Sequence, residues 1–121
     1  MKKIICLLTL TTAVGCQYNK KEAIREVCST ANITYTGSVA SIIRDNGCLG
    51  CHTGTPPQGG FRLETYDEVK ARAAQLRSGT SVLLGALQHQ AGFSPMPKGM
   101  TRLSDCDLSK LKAWVDAGMP Q

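Results

Sequence analysis

A chain of 121 residues has room for one domain and little more, and its 42% apolar and 5% aromatic residues predict a modest, mainly aliphatic core. The formal net charge is +5. Because no arginine-rich stretch or aromatic-interleaved basic patch accompanies that charge, the composition excludes nucleic acid as an expected partner.

The N-terminus is typical of a bacterial export signal. A basic start, Met1–Lys3, precedes the apolar segment Ile4–Val14, which is too short to span a bilayer core of about 30 Å. We therefore expect residues 1–15 to be a signal peptide of the lipoprotein type.

A cysteine follows this signal in a pattern that resembles a bacterial lipobox. In Ala13–Cys16, small residues precede a cysteine that would be acylated and become the new N-terminus. The sequence thus predicts a lipid anchor at Cys16 and a lipoprotein of the bacterial cell envelope, membrane-anchored and facing the periplasm. Simple cleavage to a soluble periplasmic protein is the alternative. Residues 16–34 are interpreted as a tether and lead segment, and residues 35–121 as the folded domain.

A first helix is predicted over Ser38–Asn46. Val39, Ile42 and Ile43 share one helical face, and Asn46-Gly47 is a typical helix end. The helix therefore ends directly before a pair of cysteines.

That pair belongs to Cys48-Leu49-Gly50-Cys51-His52, a C-x-x-C-H sequence, which is the attachment motif of haem c. Thiols separated by two residues lie about one helical turn apart, within reach of the two vinyl groups of one porphyrin. His52 is then predicted to be the proximal ligand of the iron. A redox dithiol needs a βαβ context and a zinc site needs four ligands, and the sequence offers neither. Export to an oxidising compartment further favours one covalent haem c.

The middle of the chain alternates loops and short helices. Proline and glycine predict a loop over Thr53–Gly60. A capping box at Thr65–Glu68 begins a helix that is predicted to run to about Arg77, where Ser78-Gly79 ends it. A short apolar helix is predicted over Ser81–His89.

The next loop contains the candidate for the second axial ligand. Pro95 and Pro97 restrict the backbone on both sides of Met96, so that the loop tends to hold its sulfur in place. Met96 is therefore the predicted distal ligand. Met100, His89 and an open or water-ligated iron are the alternatives. For His89 we prefer a helix-end residue that is hydrogen-bonded to a backbone carbonyl or a propionate.

A last helix is predicted from an N-cap at Ser104 to a stop at Gly118. Leu108, Leu111 and Val115 follow one of its faces. We find no convincing strand, and the predicted fold class is all-α.

Two of the six cysteines, Cys28 and Cys106, are left over by the leader, the lipobox and the haem motif. In an oxidising compartment, leftover thiols are expected to pair. A bridge between them would close a loop of about 80 residues and contribute about 4 kcal/mol in the chain-entropy model. Two buried free thiols are the alternative.

From about Tyr35 to Pro120, the chain resembles a mono-haem, class I-like c-type cytochrome, particularly its bacterial lipoprotein or periplasmic versions. The C-x-x-C-H motif, the run Gly92–Gly99 and the closing helix Leu103–Gly118 carry this resemblance. It implies about four helices around one haem. It also implies that the first helix crosses the last one, with Trp114 in the contact.

The resemblance also implies roles for individual residues. Cys48 and Cys51 would attach the haem, and His52 and Met96 would be its axial ligands. A proline carbonyl usually orients the histidine in such proteins, which here would have to come from Pro56 or Pro57.

The expected function is electron transfer rather than enzyme catalysis, because a six-coordinate iron binds no substrate. Redox partner proteins would dock through small, weak interfaces. One alternative is a haem-based sensor or peroxidase-like protein whose distal site is open or labile. Another is a haem subunit of a larger dehydrogenase.

Overall fold

The computed structural model describes residues 28–121, which are mostly helical, in agreement with the predicted class. The helices are Ala40–Asp45 (α1), Tyr66–Ala74 (α2), Val82–Leu87 (α3) and Asp105–Asp116 (α4), and the strands are Leu76–Arg77 (β1) and Thr80–Ser81 (β2).

The signal peptide over residues 1–15 and the lipid anchor at Cys16 fall outside the described residues. None of the helices in residues 28–121 combines the length and the apolar character that spanning a bilayer requires.

The first helix begins earlier than the apolar pattern predicts. A π-helical turn over Tyr35–Val39 leads into α1. The Thr34 hydroxyl accepts a hydrogen bond from the Gly37 N–H at 3.0 Å and so caps this turn. Gly47 follows α1 with a φ of 70°, as the predicted stop requires.

Helix α2 begins at the predicted capping box, in which Thr65 and Glu68 bond each other's backbone N–H groups. Its end corrects two predictions. The helix stops at Ala74 rather than near Arg77, and β1 and β2 then form an antiparallel hairpin where no strand was expected. Ser78 and Gly79 connect the strands, both with positive φ, which is the geometry of a two-residue hairpin loop.

The last two helices begin at hydroxyl caps. Ser81 accepts from the Leu84 N–H and Ser104 from the Asp107 N–H. Helix α3 ends at Leu87, two residues before the predicted His89.

The core is mainly aliphatic, with one tryptophan at its centre. Its most buried large side chains are Val39, Val69, Leu111 and Trp114. They come from the first helix, α2 and α4, so these elements enclose a common core.

The end of the chain contacts the start of the first helix around Trp114. The Tyr35 ring lies 6.4 Å from the Trp114 ring between centroids. The Pro120 carbonyl accepts from the Tyr35 N–H at 2.9 Å and from the indole N–H at 2.8 Å. The Tyr66 hydroxyl donates to the Met119 carbonyl at 2.8 Å. The start of the first helix therefore contacts α4 through Trp114.

A disulfide joins Cys28 to Cys106, with the Cα atoms 5.5 Å apart and the two cysteines 78 positions apart in sequence. It connects the lead segment to the first turn of α4.

Candidate functional site

The C-x-x-C-H segment begins in a 3₁₀ turn, Cys48–Gly50, directly after the Gly47 bend. The Cys48 carbonyl accepts from the His52 N–H at 3.0 Å, which keeps the motif in one tight turn. Neither Cys48 nor Cys51 forms a disulfide. Cys48 is partly buried and packs against the core, and burial raises the pKa of its thiol. Cys51 is exposed.

The His52 side chain is buried, with 7% of its surface exposed, and two features of Phe61 fix its position. Its Nδ1 lies 3.3 Å from the Phe61 carbonyl oxygen. Its ring stacks on the Phe61 ring with centroids 4.2 Å apart and planes 22° apart. The same residue therefore orients the imidazole through both backbone and side chain.

This contact determines the tautomer of His52. A carbonyl oxygen can only accept, so Nδ1 must carry the proton, and the lone pair of the neutral ring is then on Nε2. Within residues 28–121, Nε2 makes no hydrogen bond, and no fully enclosed side-chain nitrogen or oxygen there lacks a partner. Because Nε2 has no partner and yet is not among fully enclosed atoms, it must retain some accessible surface. It is therefore available to bind a metal.

The identity of the acceptor corrects a prediction. Pro56 or Pro57 was expected to orient the histidine, but the Phe61 carbonyl does so. A 3₁₀ turn at Gln58–Gly60, with Gly59 at a φ of 72°, folds the loop back and brings Phe61 against the imidazole. A Cβ on Gly59 would lie 3.3 Å from the Phe61 ring, so the glycine also permits close packing there.

Met96 is anchored by its backbone at the C-terminal end of α3. Its N–H donates to the Ala86 carbonyl at 3.0 Å. Its own carbonyl oxygen lies 3.0 Å from His89 Nε2, which must be the donor because a carbonyl only accepts. The Met96 side chain is partly buried against the same core as Cys48. His89 thus has the role preferred for it from sequence, hydrogen-bonded to a backbone carbonyl.

The competing methionine, Met100, is 66% exposed. Met119 lies at the C-terminus, where its N–H donates to the Trp114 carbonyl at 2.8 Å. Met96 is therefore the sulfur that combines partial burial with a loop anchored to α3.

Two site residues were missed by reasoning from sequence. Phe61 and Arg72 follow no motif, and only the folded chain places the Arg72 guanidinium 4.0 Å from the Phe61 ring centroid. Burial lowers the pKa of Arg72, and the nearby positive charge of Arg77 lowers it further.

The residues present fit haem c. Two free thiols at the required spacing precede a histidine whose Nε2 is available, and the thioether of Met96 is the candidate for the second ligand. In the described part of the chain, no three His, Cys, Asp or Glu side chains converge into a set that could hold a metal ion by themselves. A haem iron would need only His52 and Met96.

Comparisons with known proteins give no independent indication of function. No family model, no curated protein and no solved structure matches this chain.

Proposed function

We propose that this chain is a mono-haem c-type cytochrome that transfers electrons in the bacterial cell envelope. One observation carries the proposal: the histidine that ends the C-x-x-C-H motif donates from Nδ1 to a backbone carbonyl and leaves Nε2 for a metal. A histidine with a merely structural role has no need of two free thiols immediately before it.

The thiols of Cys48 and Cys51 provide the attachment. Each S–H would add across a vinyl group of the porphyrin, with one C–S bond formed, the thiol hydrogen passed to the other vinyl carbon and no leaving group. Cys48 is partly buried and Cys51 is exposed, so in this proposal one thioether would lie against the core and the other near solvent.

His52 and Met96 would provide the axial ligands. When bound, haem c supplies an iron that accepts one electron on passing from ferric to ferrous and releases it in the reverse step. The Phe61 carbonyl holds His52 in the ligating tautomer and increases its basicity. A methionine opposite the histidine favours electron transfer and raises the reduction potential relative to two histidines.

The helical arrangement supports a small cytochrome c-like fold. The start of the first helix contacts α4 through Tyr35 and Trp114, and the haem motif follows α1 directly. In this proposal, the four helices would surround one edge of the haem, and the exposed edge near Cys51 would face redox partner proteins.

The N-terminal sequence adds the location. A signal peptide over residues 1–15 would export the chain, and acylation of Cys16 would anchor it to the membrane, facing the periplasm. Mass spectrometry of the mature N-terminus should find a lipid on Cys16 that a Cys16→Ala variant lacks. A mature chain that begins elsewhere without a lipid would contradict the anchor.

The test of the haem proposal is covalent attachment. The full chain, produced in cells that contain a haem-attachment system, should keep its haem through denaturation and acid–acetone extraction. The matched control is Cys48→Ala with Cys51→Ala, from which all haem should extract. Complete extraction of haem from the wild-type protein would refute the proposal.

A further inference from the structure

A second aromatic contact lies behind the candidate proximal ligand. Phe61 stacks on His52 with ring centroids 4.2 Å apart, and the Arg72 guanidinium carbon lies 4.0 Å from the same Phe61 centroid. Two groups this close to one centroid cannot share one face of the ring. Phe61 is therefore sandwiched between the imidazole and the guanidinium.

The position of Arg72 within this sandwich is itself fixed. Arg72 projects from α2, and one of its terminal nitrogens donates to Gln75 Oε1 at 2.8 Å. Among the described residues, no carboxylate lies within ion-pair distance of Arg72. Its positive charge is therefore held near His52 without a neutralising partner.

Building on the proposed function, we propose that Arg72 is a positioning residue for His52 that acts through Phe61 and raises the reduction potential of the haem. The guanidinium is attracted to the face of the aromatic ring and presses it onto the imidazole. The oxidised site carries one more positive charge than the reduced site, so a nearby fixed cation disfavours oxidation.

The chain offers a matched control. Arg77 places its guanidinium 5.4 Å from the ring centroid of a different phenylalanine, Phe93, and donates to the Gly92 carbonyl at 2.9 Å. An Arg77→Gln variant loses the same charge from the same region, but its contacts are with the loop that leads to Met96 and not with the ring that stacks on His52. The control therefore requires that the iron–sulfur charge-transfer band is retained in Arg77→Gln.

The experiment measures the reduction potential of haem-loaded wild-type, Arg72→Gln, Arg72→Lys and Arg77→Gln proteins. We expect Arg72→Gln to lower the potential clearly, Arg72→Lys to retain most of it and Arg77→Gln to lower it less. Circular dichroism establishes that each variant folds. An Arg72→Gln potential equal to that of wild type or of Arg77→Gln would overturn the inference.

A second readout tests the action through Phe61. The paramagnetic proton shifts of the His52 ring in the oxidised protein report the orientation of the imidazole. Arg72→Gln should change them, Arg77→Gln should not, and Arg72→Gln should change them little further in a Phe61→Leu background. Additive changes in the double variant would contradict the sandwich.

Different results would refute the proposed function and the role of Arg72. A wild-type protein without covalent haem would refute the proposed function and this inference with it. A wild-type protein with covalent haem, whose potential and His52 shifts are unchanged by Arg72→Gln, would overturn this inference alone.

Discussion

His52 is held through its own ring, whereas Met96 is held through its backbone. The imidazole is buried, bonded at Nδ1 and stacked on Phe61, so its orientation is set by contacts of the side chain itself. At Met96, the N–H and the carbonyl are bonded to Ala86 and His89, and the thioether keeps three rotatable bonds. The histidine side of the proposed site is therefore preorganised, and the methionine side is a positioned loop whose side chain can still adjust.

The largest effect is expected from replacing Met96, and it distinguishes Met96 from Met100 as the proposed sulfur ligand. Met96→Ala should remove the sulfur ligand completely, abolish the iron–sulfur charge-transfer band and lower the reduction potential. Met100→Ala is the control and should leave both nearly intact, because that side chain is 66% exposed. Visible spectroscopy and redox titration of the haem-loaded protein measure these effects. The opposite pattern would assign the role to Met100, and a wild-type spectrum without the band would favour His89 or an open site.

The disulfide should increase the stability of the fold without affecting either proposed iron ligand. Replacing Cys28 and Cys106 together by alanine should lower the free energy of unfolding by about 4 kcal/mol, because the bridge closes a long loop in the unfolded chain. Neither residue contacts His52 or Met96 among the interactions described above, so the spectrum of the folded variant should be unchanged. Denaturant unfolding and visible spectra of the same samples test both statements. Loss of the charge-transfer band at a concentration of denaturant where the fold persists would contradict the second.

Gly85 gives a way to disturb the methionine side alone. A Cβ at this position in α3 would lie 2.6 Å from the ring of Phe93, in the loop that leads to Met96. Gly85→Ala should therefore cost about 1–3 kcal/mol through overpacking and weaken the charge-transfer band as the loop shifts. Thermal unfolding and visible spectroscopy measure the two effects.

The control for this substitution is a compensating one. Gly85→Ala combined with Phe93→Leu should recover part of both the stability and the band, because the smaller side chain can yield to the new methyl group. A single Gly85→Ala variant as stable as wild type, with a normal band, would show that the loop accommodates the change without moving Met96.

The sequence predicted what short-range patterns determine. The C-x-x-C-H motif, the capping box at Thr65–Glu68 and the Gly118 end of α4 all depend on residues within a few positions of one another, and the structure has the last two where they were predicted. Ser78-Gly79 was recognised as a stop but not as a hairpin turn, because the same two residues serve both purposes.

Contacts over longer distances could not be predicted. The approach of Phe61 to His52 depends on how the intervening loop folds back, and that of Arg72 depends on how α2 packs. Neither leaves a periodic signal in the sequence. The prediction that a proline carbonyl orients His52 was wrong because the acceptor is determined by the path of this loop.

The end of α3 is a local structure that lacks the usual sequence signal. Its C-terminus has the hydrogen bonds of a Schellman motif, with the Gln90 N–H donating to Gly85 and the His89 N–H to Ala86. The first residue after such a cap is usually glycine, as Gly118 is after α4, because its φ is positive. At α3 this residue is His89, with a φ of 54°.

The smallest expected effect follows from this exception. His89 adopts a backbone conformation that glycine would adopt more easily, and its imidazole donates to the carbonyl of Met96. His89→Gly should therefore leave the free energy of unfolding unchanged or raise it by up to about 1 kcal/mol, because the strained residue is relieved.

The same change removes a hydrogen bond worth about 1 kcal/mol to the Met96 loop, which corresponds to a roughly fivefold larger fraction of molecules without the sulfur ligand. The charge-transfer band should then disappear at a lower temperature than in wild type, while the helical signal unfolds no earlier. Gln90→Ala, next to His89, is the control, because in residues 28–121 the Gln90 side chain makes no hydrogen bond, and it should move neither transition. If His89→Gly lowered both temperatures together, His89 would support the fold as a whole, and the separate anchoring of the methionine side would be wrong.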